Sequence, residues 1–209
     1  MHQALTAALI LLSAAPAAAG VPAAGAWTIG PVIGGRNYSV GMPLHPSPGP
    51  RGSIVVDLPP APRSAHYVTF RHGSLAGKSR IVMRYRVEAA PGVRILPRTN
   101  PAQPSMISLY FQRRGDNWSG RGPFEAYRWY ATFSTRSPIT PGEHELVAPL
   151  SGNWTAVERS SARTNPAAFA AALAEADQVG FVLGGGDGYG KGVFATGPAR
   201  IVVTDFRVE

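Results

Sequence analysis

The chain of 209 residues contains no cysteine. This absence excludes a disulfide scaffold, a cysteine-ligated zinc or iron–sulfur site, a thiol nucleophile and a lipidated N-terminal cysteine. Charged residues make up only 15% of the chain, whereas hydrophobic residues make up 44%. A chain with this balance can bury a core, so we exclude a disordered protein, a coiled coil and a collagen. Glycine and proline are frequent, at 24 and 20 residues, and they predict many turns.

Lysine is scarce, because it occurs only at Lys78 and Lys191, and arginine supplies the rest of the 20 basic residues. Against 12 acidic residues this gives a formal net charge of +8. A basic balance favours anionic partners such as an acidic polysaccharide; the alternative explanation is the codon usage of a GC-rich genome. The arginines are scattered without a run of five basic residues, so we do not expect nucleic acid as the partner.

Long apolar runs are absent except at the N-terminus, where residues 4–15 are nearly all apolar and are followed by Pro16 and three alanines. Such a segment is too short for the ~20 residues that span a membrane. It is typical of a secretory signal peptide, although its first residues lack a lysine or arginine. We predict a signal peptide over residues 1–19, cleaved after Ala19 or near Ala24. The protein is then exported, periplasmic or secreted, with no transmembrane segment.

The remainder, residues 20–209, predicts a single all-β domain. Short runs of β-branched and aromatic residues alternate with Gly/Pro turns, which is the pattern of a sandwich. The segments 80–88, 105–112 and 127–133 alternate apolar and polar side chains, as half-buried antiparallel strands do. One helix is predicted over residues 166–176 behind an Asn165 cap. The expected core residues of the alternating strands are Ile81, Met83, Leu109, Phe111, Trp129 and Phe133, and we also expect Trp27 and Trp154 in the core.

The C-terminal third carries a recognisable ending. After the predicted helix come residues 179–186 (VGFVLGGG), residues 197–201 (GPARI) and residues 205–208 (DFRV). This ending resembles that of a galactose-binding-domain-like jelly roll, a fold that many carbohydrate-binding modules share. The resemblance implies a two-sheet antiparallel jelly-roll sandwich with one short helix, and it implies carbohydrate as the class of ligand.

The polar side chains of the three alternating strands are the main candidates for a binding site. If these strands share a sheet, tyrosine rings that can stack on sugars lie beside arginine and glutamine side chains that form forked hydrogen bonds. The alternative is an ordinary solvated face. The candidate ligand-binding residues are Arg84, Arg86, Tyr110, Gln112, Arg128 and Tyr130, with Trp118 from the adjoining loop.

A second candidate is the glycine-rich segment 185–192 (GGDGYGKG). It imitates a phosphate-binding loop, but that loop needs Ser or Thr after its lysine and a helix behind it. Here Gly192 follows Lys191, and the residues behind it cannot open a long helix. We therefore predict a mobile loop between two strands, in which Asp187, Tyr189 and Lys191 are available to line a ligand site.

Catalytic patterns are weak in this sequence. There is no G-x-S-x-G motif, and the five histidines lack the spacing of a helical metal-binding pair and are expected in turns or at the surface. No metal or cofactor is expected. A glycosidase needs two carboxylates, for which the candidates are Glu143, Glu145, Asp116 and Glu125. We predict non-catalytic binding of a carbohydrate, which the basic charge suggests is anionic; the alternatives are a polysaccharide-acting enzyme and a structural protein of an envelope assembly.

Overall fold

The computed structural model describes residues 20–132, 135–157 and 160–209. The predicted signal peptide, residues 1–19, and the expected core residue Phe133 lie outside these ranges. Within them, no helix is both long enough and apolar enough to cross a membrane. In chain order the strands are β1 (Trp27–Gly30), β2 (Val32–Ile33), β3 (Arg36–Asn37), β4 (Ser47–Pro48), β5 (Ile54–Asp57), β6 (His66–Arg71), β7 (Arg80–Ala89), β8 (Ile95–Pro97), β9 (Met106–Arg113), β10 (Arg128–Tyr130), β11 (Ser137–Pro138), β12 (Gly142–Pro149), β13 (Thr155–Ala156), β14 (Ala176–Gly184), β15 (Val193–Ala195) and β16 (Ala199–Val208).

The strands form two main antiparallel sheets, which confirms the predicted all-β sandwich. One sheet has seven strands in the order β1-β6-β14-β9-β10-β13, with β11 also paired to β9. The other has five strands in the order β12-β7-β16-β5-β4. From β5 to β16, the longer strands change sheet at every connection except the one between β9 and β10. These crossings keep the inner faces of the two sheets against each other.

The core lies between the sheets and follows the predicted alternation. Trp27 on β1 and Phe70 on β6 pack with Phe206 on β16 of the other sheet. The Trp27 ring lies 4.6 Å from the ring of Phe70 and 5.3 Å from the ring of Phe206. Each buried ring of this size contributes several kcal/mol to the free energy of unfolding. The expected core residues that the structure describes are all buried: Ile81, Met83, Leu109, Phe111, Trp129, Trp27 and Trp154.

The predicted helix is present as α1 (Pro166–Ala174). The Asn165 side chain accepts a hydrogen bond from the Ala168 amide at 3.3 Å, as an N-cap does. Phe169 points into the core and lies 4.8 Å from the ring of Trp129. The helix ends two residues before the predicted Ala176, because Glu175 leaves the helical conformation and Ala176 already begins β14.

The histidine prediction needs one correction, because His66 is fully buried rather than at the surface. Its Nδ1 lies 2.8 Å from Ser39 Oγ and its Nε2 lies 3.0 Å from the Val193 carbonyl oxygen. Burial lowers the pKa of His66 to about 4, so the ring is neutral at physiological pH. A neutral ring can accept from the serine hydroxyl and donate to the carbonyl, and it thereby ties residue 39 to the sheet.

Candidate functional site

The six polar strand residues do not share one surface. Arg84 and Arg86 lie on β7 of the five-stranded sheet, whereas the other four lie on β9 and β10 of the seven-stranded sheet. Arg84 Nε is paired with Glu145 Oε2 at 2.5 Å, and Arg86 is paired with two glutamates, Glu88 and Glu143. The two arginines therefore belong to an exposed network of ion pairs, and the expectation that they join the tyrosines is wrong.

The remaining four candidates are brought together as predicted. Gln112 lies opposite Arg128, and Tyr110 lies opposite Tyr130, in the register of β9 with β10. They are not a solvated face, however, because all four are buried, with Tyr110 at 0% and Arg128 at 7% exposure. Two loops cover this outer face of the seven-stranded sheet: residues 114–121 and residues 185–192. Half-buried strands would leave Tyr110 and Arg128 on the surface, so the expectation for their polar face is corrected.

Under these loops lies a second, smaller cluster of buried rings. Tyr67 and Tyr130 each lie 5.1 Å from the ring of Tyr110, and the hydroxyls of Tyr67 and Tyr130 are 2.9 Å apart. The cluster is completed by Val182 on β14. Burial raises the pKa of Tyr110 and of Tyr130 well above the ordinary value for a phenol, so both hydroxyls stay protonated.

A buried ion pair joins the first loop to the sheet. Arg128 Nε lies 2.9 Å from Asp116 Oδ2, and the two side chains are 8% and 0% exposed. The Nε hydrogen is not directed at a hydrogen-bond acceptor, so the contact is ionic. The Asp116 carboxylate instead accepts hydrogen bonds from Gln112 Nε2 and from the Trp118 amide, each at 2.9 Å. Burial raises the pKa of Asp116, and the positive charge of Arg128 opposes that rise.

The ion pair also positions Trp118, which is half-buried. The Arg128 guanidinium carbon lies 4.9 Å from the centre of the Trp118 ring, a cation–π contact. Tyr67 meets the same ring edge-on at 5.0 Å. Trp118 has a φ of +66°, a backbone conformation that ordinary residues rarely adopt. The hydrogen bond that the Trp118 amide donates to Asp116 Oδ1 is one contact that holds the backbone in this conformation.

The second loop, residues 185–192, packs against the buried tyrosine rings. Tyr189 packs edge-on against Tyr130 at 4.7 Å, and its hydroxyl donates to the Ala156 carbonyl oxygen at 3.3 Å. Gly192 has a φ of +92°, and a Cβ there would lie 1.7 Å from the Ser64 carbonyl oxygen, so only glycine fits. A strand, β15, follows Gly192, which agrees with rejecting a phosphate-binding loop.

These parts surround a cleft of about 590 Å³ on the outer face of the seven-stranded sheet, which we call the tyrosine cleft. It is lined by Tyr67, Arg128, Tyr130, Thr132, Arg136, Thr155, Val157, Asp187, Tyr189 and Lys191. Three of these side chains are cationic, and the single acidic one, Asp187, is paired with Lys191 at 2.5 Å. All three candidates from the glycine-rich loop therefore line the same cleft as Arg128 and Tyr130.

Sequence reasoning missed half of this cleft: Tyr67, Thr132, Arg136, Thr155 and Val157. For Tyr67 a signal existed, because Val68 and Phe70 mark the inward face of its strand and Tyr67 must then point outward. No signal in the sequence indicates that β6 lies two strands from β9, or that β13 lies beside β10.

The other candidate groups do not converge. Glu143 and Glu145 lie on the open face of β12, where each is paired with an arginine. Glu125 accepts from the Gly122 amide at 3.2 Å in a separate turn, and Asp116 lies in the loop over the opposite sheet, paired with Arg128. A further depression of about 370 Å³ lies near Glu88 and Arg200, but these two are paired with each other at 2.6 Å. The tyrosine cleft is larger and is lined by aromatic side chains, whereas this depression has none, so the tyrosine cleft is the better candidate site.

Among the described residues, no group of three or more His, Cys, Asp or Glu side chains could hold a metal ion. No model of a known protein family matches the sequence, and no curated protein matches it either.

Proposed function

We propose that this protein binds an acidic carbohydrate without chemical conversion, and that it does so outside the cytoplasm. The observation that carries the proposal is the lining of the tyrosine cleft, which combines the rings of Tyr130 and Tyr189 with two exposed cationic side chains. These are Arg136 and Lys191, of which Lys191 is paired with Asp187. Aromatic rings pack against the apolar faces of sugars, while arginine forks pair with carboxylates. The volume of about 590 Å³ lies within the range of small-ligand sites.

The fold supports the same proposal. Counting β5, β6, β7, β9, β10, β12, β14 and β16 as eight successive strands, the first, third, sixth and eighth form one sheet and the others form the second. Eight strands divided between two sheets in this way are expected of a jelly roll, an architecture that lectin domains share. A fold alone does not specify a ligand, so the argument for carbohydrate rests on the cleft.

The lining favours binding over hydrolysis. The common mechanisms of glycoside hydrolysis use two carboxyl groups. Among the described lining residues Asp187 is the one carboxylate, and it is paired with Lys191. Asp116 is fully buried against Arg128.

A structural role in an envelope assembly is the second candidate. It is favoured by one observation: four of the five exposed large apolar side chains, Val32, Tyr38, Val40 and Leu44, lie within one segment, residues 32–44, and the fifth is Val147 on β12. Exposed apolar side chains mark a protein interface where they form a contiguous patch. The sugar-binding experiment below separates the two candidates, because an assembly protein needs no sugar.

The proposal is tested with a matched pair of ligands: tetrasaccharides of galacturonic acid and of galactose, titrated calorimetrically into the purified protein. We expect the acidic ligand to bind more tightly and its affinity to fall as salt rises, because ionic contacts are screened. Tyr189→Ala and Lys191→Ala should each weaken binding by about fivefold or more, which is about 1 kcal/mol.

The control is Arg84→Ala, which removes one positive charge from the opposite sheet and should leave the affinity unchanged. A glycan array extends the test to other sugars. If no acidic glycan binds, or if Arg84→Ala weakens binding as much as Lys191→Ala, the proposed site is wrong.

A further inference from the structure

A second cleft lies on the same outer face as the tyrosine cleft. Its volume is about 330 Å³, and we call it the threonine cleft. Thr28 and Thr69, which face each other across β1 and β6, form part of its floor. Its lining also includes Tyr67, Arg71, Trp118 and Gln178.

The two clefts adjoin at Tyr67, which lines both of them. Trp118 stands edge-on to Tyr67 at 5.0 Å and lines the threonine cleft, while its ring stacks on Arg128 of the tyrosine cleft. The same pair of rings therefore forms the border between the two clefts.

The strand order shows how far the two clefts together extend across the sheet. The threonine cleft includes residues of β1, and the tyrosine cleft includes Thr155 of β13, at the opposite edge of the sheet. The order β1-β6-β14-β9-β10-β13 spans five strand-to-strand steps, so the lining residues of the two clefts together spread across the sheet over roughly 24 Å at about 4.8 Å per step. This is much longer than one sugar ring.

Both clefts carry positive charge. Arg71 is exposed at the threonine cleft, and Arg136 and Lys191 are exposed at the tyrosine cleft. The floor between them offers hydroxyl, amide and aromatic groups, of which Gln178 is held by a hydrogen bond from Thr69 at 2.9 Å. Separated cations along a groove with such a floor match a ligand whose acidic groups repeat along a chain.

We propose that the two clefts are subsites of one groove that binds an internal segment of a linear acidic polysaccharide, with Arg71 contacting one acidic sugar and the cations of the tyrosine cleft contacting another. This inference rests on the proposed function and adds to it the polymeric nature of the ligand and a second subsite.

The experiment measures how affinity depends on ligand length, using galacturonic acid oligomers of two and six sugars in calorimetric titrations. The hexasaccharide should bind about tenfold or more tightly than the disaccharide, because only the longer ligand occupies both subsites. Arg71→Ala should weaken the hexasaccharide about fivefold and leave the disaccharide unchanged. Tyr189→Ala should weaken both ligands. Arg84→Ala is the control for the loss of one charge, and it should change neither affinity.

The outcomes separate this inference from the proposed function. If the disaccharide binds in a Tyr189-dependent manner but length and Arg71→Ala have no effect, the proposed function stands and the extended groove is refuted. If Arg71→Ala weakens the disaccharide and Tyr189→Ala does not, the assignment of the two subsites is refuted. If no acidic oligomer binds at any length, both proposals fail.

Discussion

Removal of the Arg128 side chain should be strongly destabilising, although sequence alone places this residue on a polar surface. Arg128 and Asp116 are 8% and 0% exposed, so solvent screens their interaction little. Arg128→Ala leaves the Asp116 carboxylate buried without its cation. Breaking a buried ion pair on one side costs about 3–5 kcal/mol. For a domain of this size that corresponds to a fall in Tm of roughly 6–20 °C.

The matched control is Arg84→Ala, in which an exposed pair is broken. Arg84 and Glu145 are 59% and 44% exposed, and such pairs contribute about 0–1 kcal/mol. The double variant Asp116→Asn/Arg128→Ala should recover part of the loss, because no charge then remains buried. Urea unfolding followed by tryptophan fluorescence gives all of these free energies.

The pH dependence gives an independent test of the same reasoning. The positive charge of Arg128 lowers the pKa of Asp116 against the effect of burial, so its removal lets that pKa rise further. As the pH falls through the raised pKa, the buried carboxylate becomes neutral, and the cost of losing Arg128 should shrink. The difference in the free energy of unfolding between Arg128→Ala and the unaltered protein should therefore be larger at pH 7 than at pH 4.5. Equal urea-unfolding midpoints for Arg128→Ala and Arg84→Ala at pH 7 would refute the claim that the buried ion pair contributes more than the exposed one.

Three further predictions concern other parts of the chain. Burial lowers the pKa of His66 to about 4, so the unfolded chain binds more protons below pH ~6.5, and stability falls as the pH falls through that window. The loss is on the order of 2 kcal/mol between pH 7 and pH 5, and it should be absent in urea titrations of His66→Gln. Trp129→Ala should cost about 3–5 kcal/mol in the same assay, because the ring is fully buried; a cost below about 1 kcal/mol would contradict its core position. Mass spectrometry of the exported protein should give an N-terminus at Gly20 or near Gly25, and an intact Met1 would refute the predicted signal peptide.

Local patterns in the sequence determined the helix, most of the longer strands and the inward faces of those strands. The alternation of Ile81, Met83 and Tyr85 in β7 requires only that one face of a strand be apolar, and that property is carried by neighbouring residues. The α1 cap is equally local, because Asn165 and Pro166 act within a single turn.

Tertiary structure alone decided which strands are neighbours and which polar faces meet water. Period-two alternation is the same whether β7 pairs with β9 or lies in the opposite sheet, so Arg84 and Arg86 could not be separated from Tyr110 and Arg128 by pattern. Burial of the tyrosine face depends on two loops folding over it, and the groups that hold them there come from distant parts of the chain: Asp116 pairs with Arg128, and Gly192 fits against Ser64. The candidate cleft exists because of these long-range contacts, which no local period encodes.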